Sequence, residues 1–144
     1  MKKKIDVSMV VATHKGINKL PLLVGSLKKN SILPKEIIIC GTNLNDIKLL
    51  SRSDIKSLNI RFFISKIKNQ IFQRKLALKK ITQAFILQLD DDIVIESNFF
   101  EILYLHIKKN DKKKIIMSLV VILGLKQQAY RWNLYFRSNL YFRI

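Results

Sequence analysis

Residues 85–92 read FILQLDDD, and this short stretch sets the fold. Phe85, Ile86, Leu87 and Leu89 form an apolar run of strand length, as expected of a strand covered on both faces of a sheet. The run stops at Asp90, Asp91 and Asp92 without an intervening turn residue. Three adjacent carboxylates repel one another, so they cost stability unless cations compensate them. The chain has only ten acidic residues, and five of them (Asp90, Asp91, Asp92, Glu96 and Glu101) crowd into this neighbourhood. Such a cluster reads either as a site for a hard cation or as a solvated acidic turn that caps the next helix. Mg²⁺ or Mn²⁺ suits the first reading, since these ions take one or two carboxylates together with substrate phosphates. Asp90 and Asp92, two apart at a strand end, can turn toward the same ion.

Outward from this stretch the pattern repeats. Residues 7–13, VSMVVAT, form a buried β-branched strand, and residues 36–40, EIIIC, form a second. Between them Asn18 is placed to cap a helix, with Pro21 in its first turn. Leu20, Leu23, Val24 and Leu27 then recur at helical spacing. That helix ends near Asn30, and Pro34 blocks its continuation. Residues 44–50 read as a short helix, 60–64 as a third strand, and 69–81 as a basic helix. Residues 85–89 are the fourth strand, and Ser97 caps a helix over 98–109. Residues 115–123 are a fifth strand. Strands alternating with helices imply βαβ units and a mainly parallel sheet flanked by helices, a Rossmann-like α/β fold. Ligands of such sheets bind beyond the carboxyl ends of the strands. Residues 12–15, 41–43 and 90–92 fall there.

The bulk numbers narrow the function classes. The chain has 144 residues and a net charge of +17. That charge points to nucleic acid, an anionic membrane face or phosphate-bearing ligands, although solvated lysines in a Lys- and Ile-rich chain produce it too. Cys40 is the only cysteine, which excludes an intrachain disulfide and a multi-cysteine metal site. The N-terminus lacks the apolar core of a signal peptide. The longest apolar run, residues 115–125, falls short of the roughly 20 residues of a membrane span. A cytoplasmic protein, soluble or peripheral at the inner membrane face, is expected. The division expected is a ligand-binding domain over 1–125 and a tail over 126–144. The tail is basic and aromatic, with the near-repeat NLYFRS and NLYFRI. It reads as a strand or hairpin, or as a segment lying on a membrane surface.

The segment VSMVVATHKGINKLPLLVGSLKKNSILPKEIIIC resembles the opening of the family-2 glycosyltransferases, which have the GT-A fold. QRKLALKKITQAFILQLDDD resembles that family's arginine-bearing helix and its Leu-Asp-x-Asp strand end. The resemblance covers residues 5–109. It implies a domain that binds a nucleoside-diphosphate sugar and takes part in transferring the sugar to a hydroxyl acceptor, glycan or lipid-linked. On this resemblance Ala12 and Thr13 form the turn that holds the nucleotide, Arg74 faces it, and Asp90 lies near the ribose and the metal. Asp92 coordinates the Mn²⁺ or Mg²⁺ that bridges the diphosphate. His14, Thr42 and Asp91 belong to the same nucleotide-sugar site, His14 being open to a second reading as a plain loop histidine.

Two departures stand out. Gly41, Thr42 and Asn43 occupy the place where many members carry a base-contacting acid, and Lys75 follows Arg74 where the family has asparagine. Nothing after Asp111 is acidic, so a catalytic base of the family type is expected to be missing and the fold to be truncated. Two other functions fit the residues: a nucleotide-sugar binder without turnover, and a basic nucleic-acid-binding module. The triplet disfavours the second, because without a metal it repels phosphates. His106 reads as a helix-surface residue, and Cys40 as an inert core thiol.

Overall fold

The computed structural model describes residues 2–109 and 116–118. Among the described residues five strands form one sheet: β1 (Lys3–Ala12), β2 (Ile32–Gly41), β3 (Ile60–Ile64), β4 (Phe85–Asp90) and β5 (Ile116–Ser118). Every pairing is parallel, and the order is β3-β2-β1-β4-β5. Helices α1 (Leu20–Leu27), α2 (Arg52–Ser57), α3 (Gln70–Leu78) and α4 (Phe99–Lys109) accompany them. The expected α/β fold with a parallel sheet is what the chain adopts. Asp111, the rest of the expected fifth strand and the 126–144 tail lie outside the described residues. Among the described residues no helix is long and apolar enough to cross a membrane.

The core explains which segments became strands. Val7, Met9 and Val11 of β1, Ile37 and Ile39 of β2, and Leu87 and Leu89 of β4 share one buried cluster with Leu20, Leu23, Val24 and Leu27 of α1 and Phe100 and Leu103 of α4. The apolar positions of α1 recur at i, i+3, i+4 and i+7, so all four side chains reach the sheet together. Burial of each such side chain is worth about 1.5–3 kcal/mol. The alternate residues Val10, Ile38 and Cys40 form a second, smaller cluster with Ala77 of α3 on the opposite face. Burial pushes the Cys40 thiol up, as befits a core residue.

Several boundaries differ from the sequence reading. β2 starts at Ile32, before Pro34, which is itself buried in the strand. Pro34 pairs with Ile5, and the β1–β2 register shifts between Ile5 and Ser8. A proline cannot donate to a ladder, so it is tolerated where pairing is already irregular. Asn18 does not cap α1. It closes a 3-10 turn over Gly16–Asn18, and Lys19 occupies the capping position with no side-chain cap. Residues 44–50 hold a 3-10 turn at Leu44–Ile47 rather than a helix, and α2 follows it, capped by the Ser51 hydroxyl on the Asp54 amide.

On the α3 face the opposite end of the sheet carries a buried polar knot. Glu36 accepts from the Ser8 hydroxyl at 2.5 Å and from the Thr82 amide at 2.6 Å, and it pairs with Arg61 at 2.5 Å. Ser8 in turn accepts the Gln83 amide at 3.1 Å. The knot fixes the connection from α3 into β4, and so the height at which β4 enters the sheet.

Candidate functional site

The site is built by strand register. Ala12 of β1 lies opposite Cys40 of β2 on one side and Asp90 of β4 on the other. Three strand ends therefore finish nearly level: Thr13 and Asp91 leave the sheet beside Gly41, the last residue of β2. β1 is also where the strand order reverses, since β2 and β3 lie to one side of it and β4 and β5 to the other. A crevice at such a reversal is the usual ligand position in open α/β sheets.

Each turn is held by specific bonds. The Thr13 amide donates to the Cys40 carbonyl at 2.9 Å, and its carbonyl accepts from the buried Gln73 side chain of α3 at 2.8 Å. The Thr13 hydroxyl donates to Asp91 Oδ2 at 2.5 Å. Lys15 adopts a left-handed conformation with φ 57°. Gly16 follows where no side chain fits: a Cβ there would sit 2.0 Å from Thr13 Oγ1. His14 Nδ1 and Thr42 Oγ1 lie 3.1 Å apart and share a hydrogen bond whose direction follows the ring tautomer. His14 and Thr42 thus bridge the first loop to the second.

The three aspartates have three different environments. Asp90 accepts from Gln70 at 3.0 Å and pairs with Arg74 at 2.5 Å, both from α3. The Arg74 Nε is buried and makes no hydrogen bond. Asp91 is buried, and its second oxygen takes the Lys19 ammonium at 3.2 Å. Asp92 points outward with its side chain 61% exposed, and Lys19 approaches its Oδ2 at 3.7 Å. Burial lowers the affinity of Lys19 for its proton, but the hydrogen bonds and charges of Asp91 and Asp92 outweigh that, so its pKa stands above the usual 10.5. The triplet is thus compensated by cations of the chain itself. Asp91 serves the architecture of the turn, while Asp92 presents a carboxylate to solvent.

Sequence reasoning missed two residues. The first is Asp46, in the 3-10 turn after the second loop and only 4% exposed. Its Oδ1 accepts the Gly16 amide at 3.0 Å, and its Oδ2 accepts the Thr42 and Asn43 amides at 3.1 and 3.2 Å. It turns inward and ties the first loop to the second. Its spacing from Asn43 is that of a capping box, a legible signal, and the box is formed. Gly41 leaves room for it, since a Cβ there would lie 2.6 Å from Asp46 Oδ2. The second residue, Gln73, gave no signal beyond its place beside Arg74. After the triplet, Ser26 and Asn30 of the α1 end fix the outgoing chain, accepting the amides of Ile95 at 3.0 Å and Phe100 at 3.2 Å.

The donor set fits a divalent ion in a limited way. Among the described residues no group of three or more His, Cys, Asp or Glu side chains is placed to hold a metal. One exposed carboxylate at the crevice, Asp92, matches the sparse protein ligation of Mg²⁺ and Mn²⁺, which rely on substrate phosphates for further oxygens.

No protein-family model matches the chain, and no curated protein matches it. Solved structures do. The chain aligns with S. aureus TarS 1-349 at a TM-score of 0.63 and 22% identity, covering 77% of this chain and 33% of that one. The same TarS portion in complex with UDP-GlcNAc aligns at 0.59 and 22% identity, covering 77% and 32%. Its complex with UDP aligns at 0.58 and 23% identity, covering 77% and 33%. At these identities the likeness shows the fold: a Rossmann-like α/β sheet shared with TarS 1-349, of which the chain spans about a third of the length.

Proposed function

We propose that this chain is the nucleotide-sugar-binding part of a family-2-like glycosyltransferase, which transfers a sugar from a nucleoside diphosphate to a hydroxyl of a glycan or lipid-linked acceptor. The observation that carries this reading is the level finish of β1, β2 and β4, which gathers Thr13, His14, Thr42 and Asp90–Asp92 at the reversal of strand order. The fold shared with TarS, a protein captured with UDP-GlcNAc and with UDP, supports a uridine nucleotide as the first donor to test.

Each residue has a role on this reading. The loops at Thr13 and Thr42 hold the nucleoside, and Gln73 and Asp46 fix those loops before ligand arrives. Asp92 would hold a divalent ion, Mn²⁺ or Mg²⁺, which when bound would supply positive charge against a departing diphosphate. Arg74, oriented by Asp90, adds a fixed positive charge from α3.

The test is calorimetry with UDP and with GDP, in the presence and absence of Mn²⁺. Mn²⁺ is expected to tighten nucleotide binding by about tenfold, or about 1.4 kcal/mol. Asp92→Ala should remove that gain and leave the unfolding midpoint in place, because an exposed carboxylate adds little to stability. Nucleotide binding that ignores Mn²⁺ in the parent chain, or keeps its Mn²⁺ dependence in the variant, would remove Asp92 from this role.

A further inference from the structure

Lys19 stands where the helix would not choose a cation. It is the capping residue of α1, next to the positive end of the helix dipole, with no acidic residue in the first turn. A lysine there is disfavoured locally, and its ammonium is instead committed to Asp91 at 3.2 Å and Asp92 at 3.7 Å. The two carboxylates differ. The Asp91 side chain is 10% exposed, and its other oxygen is taken by Thr13. Asp92 is open to solvent, and its contact with Lys19 is the longer one. The Lys19 side chain is itself 44% exposed on a four-carbon stem, so its ammonium can leave Asp92 without moving the backbone.

We propose that Lys19 is an exchangeable counter-ion: it holds the position of the divalent cation at Asp92 in the ligand-free chain, and it moves to the donor phosphates when metal and nucleotide bind together. This rests on the reading of Asp92 given above. Metal alone would bring two positive charges beside an ammonium already in place. Metal with a diphosphate brings oxygens that offer the ammonium a second partner. The chain would thereby favour the metal–nucleotide complex over free metal. Such coupling is reciprocal, so nucleotide should tighten metal as much as metal tightens nucleotide.

The experiment is a Mn²⁺ titration of the full chain, followed by the electron paramagnetic resonance signal of free Mn²⁺, with and without UDP. Lys19→Met is expected to bind Mn²⁺ alone about tenfold more tightly than the parent, about 1.4 kcal/mol, and to show a smaller further gain from UDP. Lys19→Arg, which keeps the charge, should behave as the parent. Should the loss of a partner for Asp91 weaken the fold in Lys19→Met, then Lys19→Gln, which keeps a donor, carries the same expectation. Equal Mn²⁺ affinity in the parent and both neutral variants would overturn the exchange while leaving the metal role of Asp92 standing. Failure of every chain to take up Mn²⁺, with or without UDP, would overturn both.

Discussion

An Asp46→Ala chain is expected to lose about 3 kcal/mol of stability and, on the nucleotide-binding function proposed above, to bind UDP at least about tenfold more weakly. The carboxylate accepts three backbone amides, those of Gly16, Thr42 and Asn43, from a position almost closed to water. Removing it strands donors that the fold cannot otherwise satisfy, and each buried orphan costs about 1–3 kcal/mol. The sum is held down because Thr42 and Asn43 can recover water. The binding loss has a separate origin: without the tie, the loops bearing Thr13 and Thr42 are no longer fixed together before ligand arrives, and ordering them then weakens affinity. Asp46→Asn, which keeps one acceptor oxygen, should fall between parent and alanine in both readouts. Urea unfolding measures the first and calorimetry the second. A variant as stable as the parent would show that Asp46 is not the tie.

Glu36→Ala should cost about 3 kcal/mol by urea unfolding, because it leaves Arg61, the Ser8 hydroxyl and the Thr82 amide without their shared acceptor. Arg61 is partly exposed and can reach water, which keeps the cost at the low end for a broken buried pair. The knot also gives stability a pH dependence. Burial alone would raise the Glu36 pKa, yet the Ser8 and Thr82 hydrogen bonds and the Arg61 charge hold it below its ordinary 4.5. A carboxyl depressed in the folded state contributes stability that is complete above its unfolded pKa and disappears as the pH falls through the folded value. The parent should therefore lose stability on acidification below about pH 4.5, and Glu36→Gln should lose less over the same range. Identical acid profiles for the two chains would exclude Glu36 as the titrating group.

The strands were the most legible part of the sequence. The runs VSMVVAT, EIIIC and FILQL are mostly apolar, as a sheet covered on both faces requires, and each lies within or against an observed strand. Boundaries were less so. Pro34 lies beyond the end of α1, as read, but the sequence reading starts the second strand after it, at Glu36, whereas the register shift beside Pro34 lets β2 begin at Ile32. Asn18 had the chemistry of a cap, but the preceding left-handed Lys15 sets a 3-10 turn that uses Asn18 up before α1 begins. At the site the sequence showed which residues gather and concealed how they divide the work. Asp90, Asp91 and Asp92 look alike as letters. Their separation into a partner for Arg74, a buried anchor for Thr13 and an exposed carboxylate depends on contacts from the loop between β1 and α1 and from α3, 16 to 78 residues away in the chain. The tie from Asp46 to Gly16 was hidden for the same reason, since the two are 30 residues apart, whereas its capping box with Asn43 was legible.

The level strand ends also bear on how the chain folds. β1 can pair with β2 early, because the two are joined by one short helix. Its other neighbour, β4, arrives only after the β2, β3 and α3 segments have been laid down, and the Thr13–Asp91 bond spans 78 residues. Closing a loop of that length is entropically slow and is repaid only when the parallel ladder forms. The crevice is therefore completed by the docking of β4. Any intermediate holding only β1, β2 and β3 would have the loops at Thr13 and Thr42 but none of the three carboxylates, so the crevice is whole only in the fully assembled sheet.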